Sequence, residues 1–183
     1  SLCTKVDLTP RKAGNLAEAE QLAEAAYLRR GDVKQLNRAI KHWRDAVAIA
    51  PEKTENYLKL SRALYLLGDG YLRLDDEEDA MVVALEEATN LAESAISIQN
   101  KEFRNAVCEG ADVEEVVGKL RAEDVPAVYW YAGALGKWSL ASSILVALKN
   151  KDKIFAMMQR IKELDPAYWY GAVDRYLGAY YTK

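Results

Sequence analysis

"AIKHWRDAVAIAP", residues 39–51, places Ala39, Trp43 and Ala46 four and three residues apart, with Pro51 five residues further on. That spacing puts the first three on one face of a helix, and the proline stops the helix. The same spacings recur in "ATNLAESAISIQN" at 88–100, through Ala88, Ala92, Ala95 and Asn100. They return in "IFAMMQRIKELDP" at 154–166, through Ile154, Met158, Ile161 and Pro166. Each triplet predicts a helix face packed against the preceding helix. Each fourth position ends the pair and turns the chain into the next one.

Working outward, nearly everything reads as helix. The four prolines, at 10, 51, 126 and 166, can each stand at a helix start, and the alternation expected of strands is absent. Punctuation predicts helices at 12–30, 33–50, 52–68, 76–99, 126–149, 151–164 and 167–181. "RRGDV" at 29–33 and "ALKNKDK" at 147–153 read as tight links between antiparallel neighbours. "LDDEED" at 74–79 reads as an acidic helix start that complements the helix dipole. The segment 100–125 breaks the rhythm and is expected to hold one or two short helices and a loop. The expectation is an all-α fold, an array of antiparallel helical hairpins forming a single helical-repeat domain over 1–183.

The repeat resembles degenerate tetratricopeptide repeats, in which small and aromatic residues followed by a proline mark the second helix. Those repeats run to about 34 residues, whereas the matching positions here lie 49 and then 66 residues apart, so helices and links are extended.

The bulk numbers exclude several functions. Among 183 residues, acidic side chains outnumber basic ones 28 to 25, and no Lys/Arg cluster builds a surface for nucleic acid. No apolar run approaches the about 20 residues of a membrane span. The chain opens abruptly at "SLCTKV", as a mature or trimmed form would. Cys3 and Cys108 fit either two buried thiols or one disulfide in an oxidising compartment. His42 has no carboxylate or cysteine at ligand spacing, so neither metal nor cofactor is expected. No nucleophile or dinucleotide motif appears. Glu86 with Glu87, and Glu114 with Glu115, read as solvated helix faces. The chain is expected not to be an enzyme.

The aromatics are unevenly placed: 11 of 17 lie at or beyond position 129. "VPAVYWYAGALGKW" at 125–138 puts Tyr131, Leu135, Trp138 and Ser142 on one face and Tyr129, Gly133 and Gly136 on another. The two glycines would let a helix or ligand approach the backbone. In "DPAYWYGAVDRYLGAYY" at 165–181, Trp169, Val173, Tyr176 and Tyr180 form one stripe, and Arg175 lies with Tyr168 and Ala172 on another. Such residues either pack between hairpins or line a cleft. The candidate ligand-binding set is Tyr129, Trp130, Tyr131, Trp138, Tyr168 and Trp169, with Lys137 or Arg175 to orient an acidic group.

These same residues resemble the TatT family, the helical T components of tripartite ATP-independent periplasmic (TRAP) transporters. Pro126, Ala127, Tyr129, Trp130, Gly136, Lys137 and Trp138 match that family's first characteristic stretch. Leu164, Asp165, Pro166, Tyr170, Gly171, Leu177 and Gly178 match its second. "GAVDRY" stands where the family has Gly-Pro-His, and the family usually continues further than this chain does. The resemblance implies a periplasmic helical protein, often held to a membrane by an N-terminal lipid. It would partner the solute-binding protein of a TRAP transporter, form homo-oligomers such as trimers, and take a small hydrophobic or amphipathic ligand. The alternative is a tetratricopeptide-like scaffold that grips a protein partner and holds no small ligand.

Overall fold

The computed structural model describes residues 2–181, with side chains through 178. Among them the regular structure is all helical: α1 Leu16–Tyr27, α2 Val33–Ile49, α3 Thr54–Tyr65, α4 Glu78–Gln99, α5 Lys101–Cys108, α6 Val113–Val116, α7 Val125–Ser142, α8 Ile144–Leu164 and α9 Tyr168–Tyr181. α1 packs on α2, α3 on α4, α4 on α7, α7 on α8, and α8 on α9. α7 lies along α4 although 25 residues separate them in sequence, because α5, α6 and two short turns leave the stack and return.

All nine residues of the three triplets are buried, with Ala39, Ala46, Ala88, Ala92 and Ala95 wholly enclosed. Small side chains at these positions let helix axes approach, and large ones then fill the gaps. Trp43, 1% exposed, meets Tyr27 of α1 edge-on at 5.1 Å. The helix ends also repeat. Ala50, Asn100 and Asp165 close α2, α4 and α8 in nearly the same extended geometry, each N–H donating to the carbonyl four residues back. Pro51 and Pro166 follow directly, but in α4 the closing residue is Asn100 itself, so that copy runs one residue longer. Asn100 is only 2% exposed. It donates to Lys119 O and Asp124 Oδ2 and accepts from the Phe103 N–H, pinning the excursion to α4.

Three of the differences from the expected boundaries have identifiable causes. α1 starts at Leu16 instead of 12, because the Asn15 side chain caps it by accepting from the Glu18 N–H. The break predicted at 149–151 lies at Ser143 instead. Ser143 is extended and its hydroxyl caps α8 by accepting from the Val146 N–H. "ALKNKDK" is helix interior, with Asn150 donating to Ser139 Oγ and Val146 O. Lastly, α3 does not stop at 68. It runs on as a π-helical turn over Leu66–Leu72. Gly68 permits this, since a Cβ there would sit 2.9 Å from Leu85 Cγ.

The N-terminal segment 2–15 is a strap with no helix. Cys3 is disulfide-bonded to Cys108 of α5, and further along Arg11 and Lys12 donate backbone N–H groups to Ala48 O of α2.

Candidate functional site

The expected aromatic set divides between two places. Tyr129 and Trp130, in the first turns of α7, face the start of α9. Tyr129 meets Tyr168 at 5.2 Å and Trp130 meets Trp169 at 5.3 Å, both edge-on. Tyr65 of α3 joins from the other side, 5.8 Å from Trp130. These rings are half-buried, so they form a wall with one side open. Gly133, one turn beyond Tyr129, has no heavy atom within 4 Å of where a Cβ would stand, which leaves space beside that wall. Gly136 contacts Ile154 of α8 at an ordinary 3.7 Å, so its lack of a side chain is not needed for helix approach.

Tyr131 and Trp138 lie on the other side of α7. Tyr131 is 2% exposed, with the Lys153 ammonium 5.9 Å from its ring. Burial, then the charge of Glu93, raises its phenol pKa, and burial lowers that of Lys153. The Trp138 indole N–H is enclosed with no acceptor among the described residues. These two side chains belong to the packing among α4, α7 and α8, away from the open wall.

The wall owes its shape to an unusual turn. Trp169, Tyr170 and Gly171 adopt left-handed backbone angles, with φ of 50°, 57° and 69°. Two of the three carry side chains that disfavour this region, at a cost of about 1–2 kcal/mol each. Arg175 holds the turn, donating to Tyr170 O at 2.7 Å and to Trp169 O at 3.3 Å. The i, i+4 stripe drawn from Trp169 to Val173 therefore does not exist. A left-handed turn rotates Trp169 off the face that Val173 and Leu177 bury, and the Tyr180 side chain lies outside the described residues.

Lys137 is also engaged, paired with Asp69 at 3.0 Å. Asp69 sits in the π-helical turn, which aims it at α7, and it also pairs with Arg73 at 3.3 Å. Both cations named from sequence thus fix the frame of the wall. The cation facing the rings is Arg62 of α3. Its guanidinium lies 4.5 Å from the Trp169 ring, 5.9 Å from Trp130 and 5.2 Å from Tyr27. No carboxylate among the described residues pairs with it. Only its place four residues after Leu58 and three before Tyr65 could have flagged it, and that spacing is shared by ordinary helix-surface arginines.

Electrostatics keep the phenols neutral. Burial, followed by the nearby Tyr129, pushes Tyr168 up to about 12. Burial also raises Tyr129 against the opposing charge of Arg175, and burial with Asp69 raises Tyr65. The arrangement offers an apolar, ring-lined edge with hydroxyl groups and one guanidinium. Nothing in it resembles a nucleophile beside a base.

Residues 74–183 match the family described as TRAP transporter T-component, well over half the chain. The chain belongs to that family. It is a family of transporter components and not of enzymes. A comparison with curated proteins returns no match. The T-component match begins at the turn before α4 and takes in α7, α8 and α9. Tyr129, Trp130, Tyr168 and Trp169 therefore lie inside it, whereas Arg62, Tyr65 and Asp69 precede it. No helix among the described residues of this T-component is long and apolar enough to cross a membrane.

Proposed function

We propose that this T-component is a periplasmic, non-enzymatic binding and adaptor protein. It holds a small amphipathic ligand bearing an acidic group and docks the solute-binding subunit of its transporter. The observation that carries the reading is Arg62, a guanidinium framed by Trp130, Trp169 and Tyr27 with no carboxylate partner among the described residues. A carboxylate ligand would supply the bidentate partner. Its apolar body would lie along the rings, where removing about 200 Å² from water contributes on the order of 5 kcal/mol. The disulfide supports an oxidising compartment such as the periplasm. Cys3 spends its sulfur on that bond, so a lipid anchor of the kind seen in the family would not be carried on Cys3.

Tryptophan fluorescence, titrated with octanoate and with octanol, tests this. Octanoate should bind more tightly than octanol, and Arg62→Gln should erase the difference while leaving octanol unchanged. Equal affinity of the two probes for the wild-type protein would overturn the reading.

Docking draws support from a separate feature. Leu140, Ile144, Leu145 and Leu148 gather where α7 turns into α8, each 59–75% exposed. Apolar groups this concentrated mark contact surfaces. The same corner favours the second reading, a scaffold for a protein partner or a further copy of the chain without a small ligand. Under that reading the octanoate titration is flat, and Leu145→Asp alone disrupts assembly.

A further inference from the structure

The N-terminal strap is held at its two ends by bonds of different kinds. Where it joins α1 the hold is noncovalent. Arg11 and Lys12 donate backbone N–H groups to Ala48 O at 2.7 and 3.2 Å, and the Lys12 side chain pairs with Asp45. Gly14 lies so close to Ile49 that a Cβ there would stand 2.9 Å from the Ile49 Cδ1. At the other end the hold is the Cys3–Cys108 bond, and Leu2, next to it in sequence, is 4% exposed within the core. Between the two ends, residues 4–10 are exposed except for half-buried Val6.

The strap forms one wall of an open groove of about 440 Å³. Val6, Asp7 and Arg11 line it from the strap, and Val47 of α2, Tyr57 of α3 and Leu91 of α4 line it from the helices. Val47 and Tyr57 are 4% and 3% exposed, so this floor is covered while the strap is in place. Both half-cystines, by contrast, are exposed. Cysteine is ordinarily among the most buried residue types. An exposed disulfide is within reach of an external thiolate without any unfolding. Once the bond is broken, burial of Leu2 has to offset the ordering entropy of the exposed run 4–10, and one apolar side chain is too little for that.

We infer that Cys3–Cys108 is a thiol-exchange site that latches the strap, and that a dithiol reductant opens the latch. One thiolate of the dithiol attacks a sulfur of the pair and displaces the other as a thiolate, leaving a mixed disulfide. The second thiol of the reductant then attacks that bond. Two electrons and two protons pass to Cys3 and Cys108, which become free thiols, and the reductant departs as its own disulfide. The strap swings out about residues 11–14, taking Leu2 and Val6 with it and uncovering Val47, Tyr57 and Leu91. The helices stay packed, because their contacts with one another do not run through the strap. The oxidised protein thus has a closed flank and the reduced one an apolar groove.

Dithiothreitol added to the full oxidised chain without denaturant tests the inference. Mass spectrometry after iodoacetamide should find both cysteines alkylated, with reduction within about tenfold of the rate in the denatured chain. In the reduced protein, trypsin should cut after Lys5 about tenfold faster. A soluble nitroxide should broaden the Val47 and Leu91 methyl signals several-fold more than in the oxidised protein. Helical circular dichroism should be unchanged, and oxidised glutathione should reverse each effect. The double variant Cys3→Ser, Cys108→Ser should behave as the reduced protein with no reductant present. A bond that yields only in denaturant would overturn the proposal. So would trypsin and nitroxide sensitivities that are equal in the two states. Loss of helix on reduction would overturn it too, since the bond would then hold the helices together and not a latch. None of these outcomes bears on the octanoate preference at Arg62, which stands or falls separately.

Discussion

Gly68 shows how much can hang on one absent side chain. A Cβ there would meet Leu85 Cγ at 2.9 Å and Cδ2 at 3.1 Å, in a region where Leu85 is 1% exposed and cannot yield. Gly68→Ala should therefore cost about 1–3 kcal/mol by overpacking. It should also disturb the π-helical turn that aims Asp69 at Lys137, which a urea midpoint combined with the octanoate titration would reveal. Tyr168 supplies a pH signature. Its phenol is raised to about 12, against the ordinary value of 10.0. The folded state therefore keeps a proton that the unfolded state releases first. The associated stability is complete below pH 10 and falls away as the pH climbs toward about 12. Unfolding midpoints measured across that window should drop, and Tyr168→Phe should flatten part of the drop. At this scale the sequence showed which aromatics gather better than which cation faces them. Tyr129, Trp130, Tyr168 and Trp169 were legible as a concentration of rings. Arg62 was not, because its partners come from α1, α7 and α9, and sequence spacing carries no information across helices. Lys137 and Arg175 show the converse: adjacency to a ring in sequence does not reveal an ion pair or a carbonyl waiting in the fold.

Among the elements, the triplet spacing was the strongest signal, and all nine of its positions are buried. Periodicity survives because one helix face must be covered whatever the tertiary detail. Boundaries set by single capping side chains were harder to see. Ser143 is one of two adjacent serines in "ASSILV", and only its extended backbone separates it from a helix-interior serine. Removing that hydroxyl with Ser143→Ala should cost about 1 kcal/mol and fray the first turn of α8, visible as faster amide exchange at Val146. Asn100 carries more. Asn100→Leu strips a hydrogen bond from Asp124, which is 1% exposed, and leaves Lys119 O unpaired. Thermal denaturation should register a loss of about 2–3 kcal/mol, larger than for the exposed cap. The left-handed turn at 169–171 had no sequence signature beyond Gly171, since tryptophan and tyrosine seldom adopt that conformation.

For the whole molecule, the disulfide is the covalent cross-link among the described residues, joining positions 105 residues apart. Converting both cysteines to serine should lower stability by about 2–4 kcal/mol, with helical content retained, since the helices pack on one another independently of the strap. Two cysteines with no nearby partner motif could not announce this pairing. The membership in the T-component family, by contrast, was readable in the Pro-Ala-x-Tyr-Trp and Leu-Asp-Pro stretches, and the match over 74–183 covers both. What joins the scales is a division of labour within α7. Its buried face, through Tyr131 and Leu135, holds the helices together, while Tyr129 and Trp130 on the other face are left for Arg62 and α9.

That division makes ligand holding the claim to test first. Native mass spectrometry of gently purified protein would show each subunit carrying a removable small-molecule mass, and Arg62→Gln with Trp169→Ala would lose it while keeping the wild-type oligomeric distribution. Wild-type subunits that appear only at their bare polypeptide mass would contradict the account, and the aromatic wall would then be a packing seam between α7 and α9.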